Sequence, residues 1–263
     1  MKKWSLGLIV PVQHPTPFSP FHPDRWEEAL SQIAEAGYEA VEFAVTDPSG
    51  ITRKRIAGAL DRNVLRLSSI TTGQAAAQEG LSLSSANETI RRRAVERIQA
   101  HMRLAKPFGA VVIVGSLQGS DGELPLLIES LKECAAHDQT VRLAFEPLNR
   151  YESSLANTVS DASAIVDRVG AKNLGLMFDT FHANIEEASS DAAIRKMGDR
   201  LFHVHLADSN RWVPGHGHLD FEPIWRALED VGYTGGLVVE SFPRPSSGAL
   251  LTVARQIRSQ WIS

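Results

Sequence analysis

The sequence predicts an α/β protein folded as a single (β/α)8 barrel, and three observations predict it. Apolar runs of strand length alternate with amphipathic runs of helix length from one end to the other. Eight such pairs fit into 263 residues, a length at which α/β barrels commonly form one domain. The segment after the first strand, QHPTPFSPFHPD, is rich in proline and lacks G-x-G-x-x-G, which speaks against an open dinucleotide-binding sheet. No Gly/Ser linker or shift of composition divides the chain, so one barrel domain is expected over 1–263.

The first strand is SLGLIVPV, residues 5–12. Its apolar run is too short for a secretory signal, and no small-residue cleavage site follows. Asp24 stands before RWEEALSQIAEAG and reads as the start signal of a helix over 24–36, with Gly37 as its stop. EAVEFAV gives a strand over 39–45, a helix over 51–62 follows, and LRLSSIT is the third strand, 65–71. The helix over 85–106 opens with Ser85 and Glu88 in capping-box spacing, and Pro107 and Gly109 stop it. Its IRRRAVERI run spaces Arg and Glu as on a solvated helix face. AVVIVGSL (110–117) precedes a helix over 124–138 that carries Cys134. A lone cysteine excludes an intramolecular disulfide and on a helix reads as a small buried residue. The remaining pairs are strand 141–148 with helix 160–169, 174–181 with 190–199, 201–207 with 222–231, and 236–242 with 247–261.

Net charge is −4, with no basic bias and no block of like charge, so nucleic acid is not an expected partner. No apolar run approaches the length of a membrane span. A cytoplasmic protein without membrane association is expected.

Along a barrel strand, alternate residues face the helices and the lumen. In strand five, Val141, Leu143 and Phe145 form one face, and Ala144 and Glu146 the other. Strand six opposes Leu174, Leu176 and Phe178 to Gly175, Met177 and Asp179. Strand seven opposes Phe202, Val204 and Leu206 to His203 and His205, with Leu201 out of phase. Strand eight opposes Leu237 and Val239 to Gly236, Val238 and Glu240. Glu146, Asp179, His205 and Glu240 are therefore expected at the C-terminal mouth, where barrel enzymes keep their chemistry. His203 falls one layer deeper, as a hydrogen-bonded interior residue. Three carboxylates and an imidazole cannot share a lumen unpaired, because like charges repel and burial disfavours ionisation. A divalent cation resolves the conflict. The oxygen-rich donor set suits Mn2+, Mg2+ or Co2+ better than a closed structural zinc.

Four strings carry these residues: FEPLNRYE (145–152), FDTFHANIEE (178–187), HVHLADSNRWVPGHGHLDF (203–221) and VVESF (238–242). They resemble the xylose-isomerase-like TIM barrel superfamily of sugar isomerases and epimerases, and within it the ketose 3-epimerases of the tagatose/psicose type. ITTGQA (70–75) and GLSLSSANETIRRRAVERI (80–98), with ADSNRWVPGHGHLDF, resemble the 5-keto-gluconate epimerase branch. The resemblance covers nearly the whole chain. It implies that Glu146, Asp179, His205 and Glu240 are metal ligands, and that Glu146 and Glu240 are also the catalytic acid/base pair. Glu152, His182 and Arg211 would hold the substrate's carbonyl and hydroxyls. A homo-oligomer, dimer or tetramer, is implied as well, acting on a small sugar or sugar acid.

Such an isomerase removes the proton alpha to a ketone and returns one on the opposite face, through an enediolate that a divalent metal stabilises. Two glutamates from different strands can serve as acid and base on the two faces. An aldose–ketose or hydroxypyruvate-type isomerase would use the same enediolate. An AP-endonuclease-like phosphodiesterase would want several zinc-binding histidines and a basic surface, and the single mouth histidine of this quartet and the acidic net charge argue against it. A ketohexonate substrate predicts a further cation at its far end, for which Arg66, Arg150 and Arg211 are candidates. Gln74 is a further candidate contact. His216 and His218 read as turn structure around Pro214, Gly215 and Gly217.

Overall fold

The computed structural model describes residues 4–260. Eight parallel strands close into a barrel in sequence order. They are β1 (Ser5–Pro11), β2 (Ala40–Ala44), β3 (Arg66–Thr71), β4 (Val111–Val114), β5 (Leu143–Phe145), β6 (Leu174–Asp179), β7 (Leu201–Leu206) and β8 (Gly236–Val239). Eight of the helices match the expected ones: α1 (Trp26–Glu35), α2 (Arg53–Asn63), α4 (Glu88–Ala105), α5 (Leu124–His137), α6 (Val159–Val169), α8 (Ser190–Met197), α9 (Glu222–Asp230) and α10 (Ala249–Gln260). The last residue of the expected helix 247–261 lies outside the described residues. Among those residues no helix is long and apolar enough to cross a membrane.

Two further helices sit at the C-terminal ends of strands. α3 (Gly73–Glu79) is built from the Ala/Gln-rich GQAAAQE, whose residues favour helix. α7 (Thr180–Glu186) cuts short the expected strand 174–181. Asp179 ends β6 and caps α7, its Oδ1 accepting from the N–H groups of Phe181 (2.7 Å) and His182 (3.2 Å). His182, expected in a loop, is thus a helical residue. Two start signals also differ from expectation. Asn87 rather than Ser85 caps α4, accepting from Thr89 and Ile90, so no Ser85–Glu88 box forms. A short 3-10 turn, Pro23–Arg25, capped by His22, precedes α1, so Asp24 lies inside that turn.

Strand alternation sorts the side chains as barrel geometry requires. Leu143, Phe145, Leu176, Phe178, Leu237 and Val239 join the helix-facing core. Val111, Ile113, Ala144 and Met177 form a small apolar cluster of their own, with Phe202 against it. Ile9, Ala44 and Val238 form another, with Phe18 against it. Phe202 corrects the expected phase of β7. The register between β6 and β7 shifts at Leu176/Met177, which pairs Leu176 with Leu201 and Met177 with His203. Phe202 is the extra residue, and it turns inward beside His203. Leu201, Val204 and Leu206 keep the outer face. Cys134 is fully buried, and burial pushes its thiol pKa up, as befits a core residue.

Candidate active site

The strand ends deliver Glu146, Asp179, His205 and Glu240 to one place, each at most 9% exposed. Asp179 and His205 face each other in the β6–β7 register. His205 Nδ1 lies 3.3 Å from Glu240 Oε2 and 3.8 Å from Asp179 Oδ2. Ligand atoms of Asp179, His205 and Glu240 all fall within 4.8 Å of one another, as do those of Glu146, Asp179 and His182. Asp179 belongs to both sets, so the expected quartet clusters around it. Two buried atoms there, Asp179 Oδ2 and His205 Nδ1, have no hydrogen-bond partner. Buried polar atoms are rarely left so, and a shared divalent cation would satisfy both. The donor set therefore fits a cation.

Electrostatics say the same. Burial lifts the Glu146 carboxyl well above its ordinary pKa; His205 opposes the rise, and Asp179 and Glu240 add to it. Burial alone would lower the His205 pKa, but Glu42 and Glu240 hold it well above the usual imidazole value. Gly115, at the end of β4, carries no side chain because a Cβ there would run into Glu146 Oε2.

The predicted substrate-binding residues lie beside this cluster. His182 Nε2 is 3.9 Å from Glu146 Oε1. Its other nitrogen, Nδ1, accepts from the Asn149 backbone N–H (3.2 Å) and side-chain amide (2.7 Å), which places the ring proton on Nε2. The same amide donates to Glu152 Oε1 at 3.0 Å. Arg211 donates to Glu152 (2.9 Å) and approaches Glu240 (3.8 Å). Its guanidinium carbon lies 4.5 Å from the Phe18 ring centre and 4.8 Å from that of Phe181. Arg211 also holds φ at 61°, a region costly for a side chain with a Cβ.

A cavity of about 330 Å3 opens over these groups, lined by Glu146, Glu152, His182, Arg211 and Glu240 and also by Phe18, Gln74 and Ser116. Its size suits a small ligand. Gln74 reaches the cavity but is tied on both sides, donating to His14 O (2.5 Å) and accepting from Thr46 Oγ1 (3.1 Å). A hollow of about 500 Å3 lies at the N-terminal end of the barrel, lined by Arg66, Arg142 and Phe202. It holds none of the clustered carboxylates. Of the three candidate cations, Arg66 is therefore at the wrong end of the barrel. Arg150 is clamped by Glu186 through Nε (2.9 Å) and Nη2 (2.8 Å).

Three residues escaped the sequence reading. Glu42 is fully buried on β2, its Oε2 accepting from Ser69 Oγ (2.6 Å) and lying 3.1 Å from His203 Nε2 and 3.0 Å from His205 Nε2. Burial would raise its pKa, but His205 and His203 hold it well below the carboxylate range. An acid inside the apolar EAVEFAV run, in the lumen phase, was the available signal. Ligand atoms of Glu42, His203 and His205 also cluster, but here Glu42 Oε2 already engages both Nε2 atoms and Ser69, and Glu42 Oε1 is left without a partner. Asn149, in EPLNRYE, carried no signal beyond its string. Asp208 follows β7 and accepts from the backbone of Ser209 (2.8 Å), Gly215 (2.8 Å) and Leu219 (3.1 Å), so it organises the loop that presents Arg211. His218 Nδ1 lies 2.9 Å from Ser209 Oγ in that loop, and the His216 carbonyl accepts from Asn210.

Residues 30–259 match the family described as Xylose isomerase-like TIM barrel. The chain belongs to that family. Among its relatives within this family is the L-ribulose 3-epimerase of Mesorhizobium japonicum, 31% identical over 227 residues, which cover 82% of this chain and 75% of the relative. The D-psicose 3-epimerase of Enterocloster bolteae is 44% identical over 123 residues, 46% of this chain and 41% of the relative. The aligned segment thus spans less than half of that enzyme. The crystal structure of a D-psicose 3-epimerase from Clostridium cellulolyticum H10 with D-tagatose superposes with a TM-score of 0.78 at 26% identity, covering 97% of this chain and 92% of that one. These family members are epimerases, which are isomerases, and their presence supports the ketose 3-epimerase group as the chain's setting.

Proposed function

We propose that this protein is a divalent-metal-dependent ketose 3-epimerase, with Glu146 and Glu240 as its acid/base pair. The observation that carries the reading is the pair of orphaned buried atoms, Asp179 Oδ2 and His205 Nδ1, at two overlapping ligand sets that share Asp179, one with His205 and Glu240 and the other with Glu146 and His182. Glu146, Asp179, His205 and Glu240 would hold the ion. When bound, the ion supplies Lewis-acid stabilisation of the enediolate; Mn2+ is the expected species, with Mg2+ or Co2+ as alternatives. Glu146 follows β5 and Glu240 follows β8, so the two carboxylates reach a substrate carbon from different parts of the ring. One removes the C3 proton and the other delivers a proton to the opposite face. His182 offers its Nε2–H, and Arg211 and Glu152 together present donors and an acceptor to the hydroxyls and carbonyl.

An uncharged ketose fits the cavity better than a keto-sugar acid. Among the described residues Arg211 is the only Arg or Lys lining it, and Glu152 and Glu240 already engage that guanidinium. Phe18, Gln74 and Ser116, which also line the cavity, offer a substrate carboxylate no charge.

The test is deuterium exchange on purified protein loaded with Mn2+, offered ketohexoses and ketohexonates in D2O. Label at C3 with the carbonyl still at C2 is expected, strongest for neutral ketohexoses. Replacement of either Glu146 or Glu240 by Gln should slow product formation by about a hundredfold or more. Label at C1 or C2 with carbonyl migration would instead indicate an aldose–ketose isomerase, and exchange in no sugar would sink both readings.

A further inference from the structure

We propose, on the metal-dependent reading above, that Glu42 is a positioning residue: by holding the Nε2 edge of His205 it leaves Nδ1 free to face the cation. The chemistry follows from what each atom can do. A carboxylate only accepts hydrogen bonds. Glu42 Oε2, 3.0 Å from His205 Nε2, therefore requires a proton on Nε2. A neutral imidazole carries one ring proton, so its lone pair then sits on Nδ1. That nitrogen faces Glu240 Oε2 at 3.3 Å and Asp179 Oδ2 at 3.8 Å, with no hydrogen-bond partner of its own.

The competing tautomer is a real alternative in this surrounding. Two carboxylates beside Nδ1 attract a proton to that side, and a proton there would block the ligand position. Glu42 opposes this from the other edge of the ring. It is itself fixed, because Ser69, its register partner on β3, donates to the same Oε2 at 2.6 Å, and His203 Nε2 lies 3.1 Å away. Glu42 is fully buried on the opposite side of His205 from Asp179 and Glu240, so it is placed to orient a ligand rather than to be one. Carboxylates bonded to ligating histidines in this way fix the ring and raise its basicity, and their loss typically weakens metal binding about ten- to a hundredfold.

The experiment compares Mn2+ affinity of metal-free wild-type protein with Glu42→Gln, Glu42→Ala and Ser69→Ala, using direct titration. Long-range 1H–15N spectra of the Mg2+-loaded proteins report the His205 tautomer. Wild type should bind one equivalent and show a protonated Nε2. Glu42→Ala should bind about ten- to a hundredfold more weakly and lose the single tautomer; Glu42→Gln, whose amide oxygen still accepts from Nε2–H but carries no charge, should weaken binding and keep the tautomer; Ser69→Ala, which removes one support of the carboxylate, should lose less than Glu42→Ala. Glu42→Gln keeps the side-chain shape, so it reports even where the alanine variant fails to fold. Unchanged affinity in Glu42→Gln would overturn the proposal. So would an equal loss in Ser69→Ala, which would mean general loosening, or the loss of a second bound equivalent, which would make Glu42 a ligand. Wild-type protein that binds no divalent cation would sink the metal-dependent reading itself.

Discussion

Arg211 shows how much one side chain can be asked to do. Its backbone stands in the left-handed region, at φ 61°, with its N–H bonded to Asp208 O (2.8 Å) and its carbonyl accepting from Phe242 N–H (2.7 Å). Those bonds hold a conformation that costs roughly 1–3 kcal/mol. The return is a guanidinium pinned near Phe18 and Phe181 and shared between Glu152 and Glu240. Its charge is firmly kept, since Glu240, Asp179 and Glu152 outweigh the opposing effect of burial. Lysine at this position keeps the charge but lacks the planar fork and the stacking face. Arg211→Lys should therefore fold normally and lose kcat/KM by about tenfold to a hundredfold, the equivalent of one charge-assisted hydrogen bond. Steady-state kinetics with the best ketohexose, beside a thermal melt, check this. A variant with wild-type kcat/KM would remove Arg211 from the binding role.

At the scale of elements, the loop after β7 depends on Asp208. Its two oxygens accept backbone N–H groups from both ends of the segment, and a Cβ at Gly217 would collide with its carboxylate. Burial raises the Asp208 pKa, but the N–H groups of Leu219, Ser209, Gly217 and Gly215 outweigh it and hold the value below the usual range. A depressed folded-state pKa contributes stability above the unfolded value, about 4, and that contribution is lost as pH falls through the folded value. Asp208→Asn should cost about 1–3 kcal/mol and impair kcat/KM as well, because the loop carries Arg211. Melts and kinetics at neutral pH test this, and a variant with unaltered Tm would contradict it. What could be read in the sequence follows the same division. The strand pairs and the lumen acids were legible because period-two alternation is a local property, and it places Glu146, Asp179, His205 and Glu240 on one face. The β6–β7 register shift that turns Phe202 inward, and the capping by Asp179 that starts α7, depend on neighbouring strands or on backbone geometry. Asp208 and Asn149 act on backbone and side chains brought near by folding, so nothing in their own strings marks them. Glu42 was legible in principle, by the same alternation applied to EAVEFAV.

The whole barrel can be viewed as a scaffold that gathers more carboxylate than it can neutralise without help. Glu42, Glu146, Asp179 and Glu240 are all buried near two imidazoles, His203 and His205. Without a cation the cluster relies on protons: Glu146 has a raised pKa, and so does His205. A group whose folded-state pKa is raised contributes stability that is full below its unfolded value and is lost as pH rises through the folded value. For Glu146 that decline begins above the ordinary carboxylate range, and for His205 above the ordinary imidazole range. Metal-free protein should therefore lose stability toward alkaline pH at this site. A divalent cation replaces those protons, so its binding releases them and strengthens as pH rises. Added Mn2+ at a hundred times its Kd should stabilise the fold by about 2.7 kcal/mol, a Tm gain of roughly 5–10 °C for a chain of this size. At one fixed Mn2+ concentration the gain should be larger at about pH 8 than at about pH 6, because Kd falls as pH rises. Thermal melts in EDTA and in Mn2+ at both values measure it directly. Asp179→Ala removes the shared member of both ligand sets and should abolish the gain. A gain that persists in that variant, or that shrinks as pH rises, would place the cation somewhere other than this cluster.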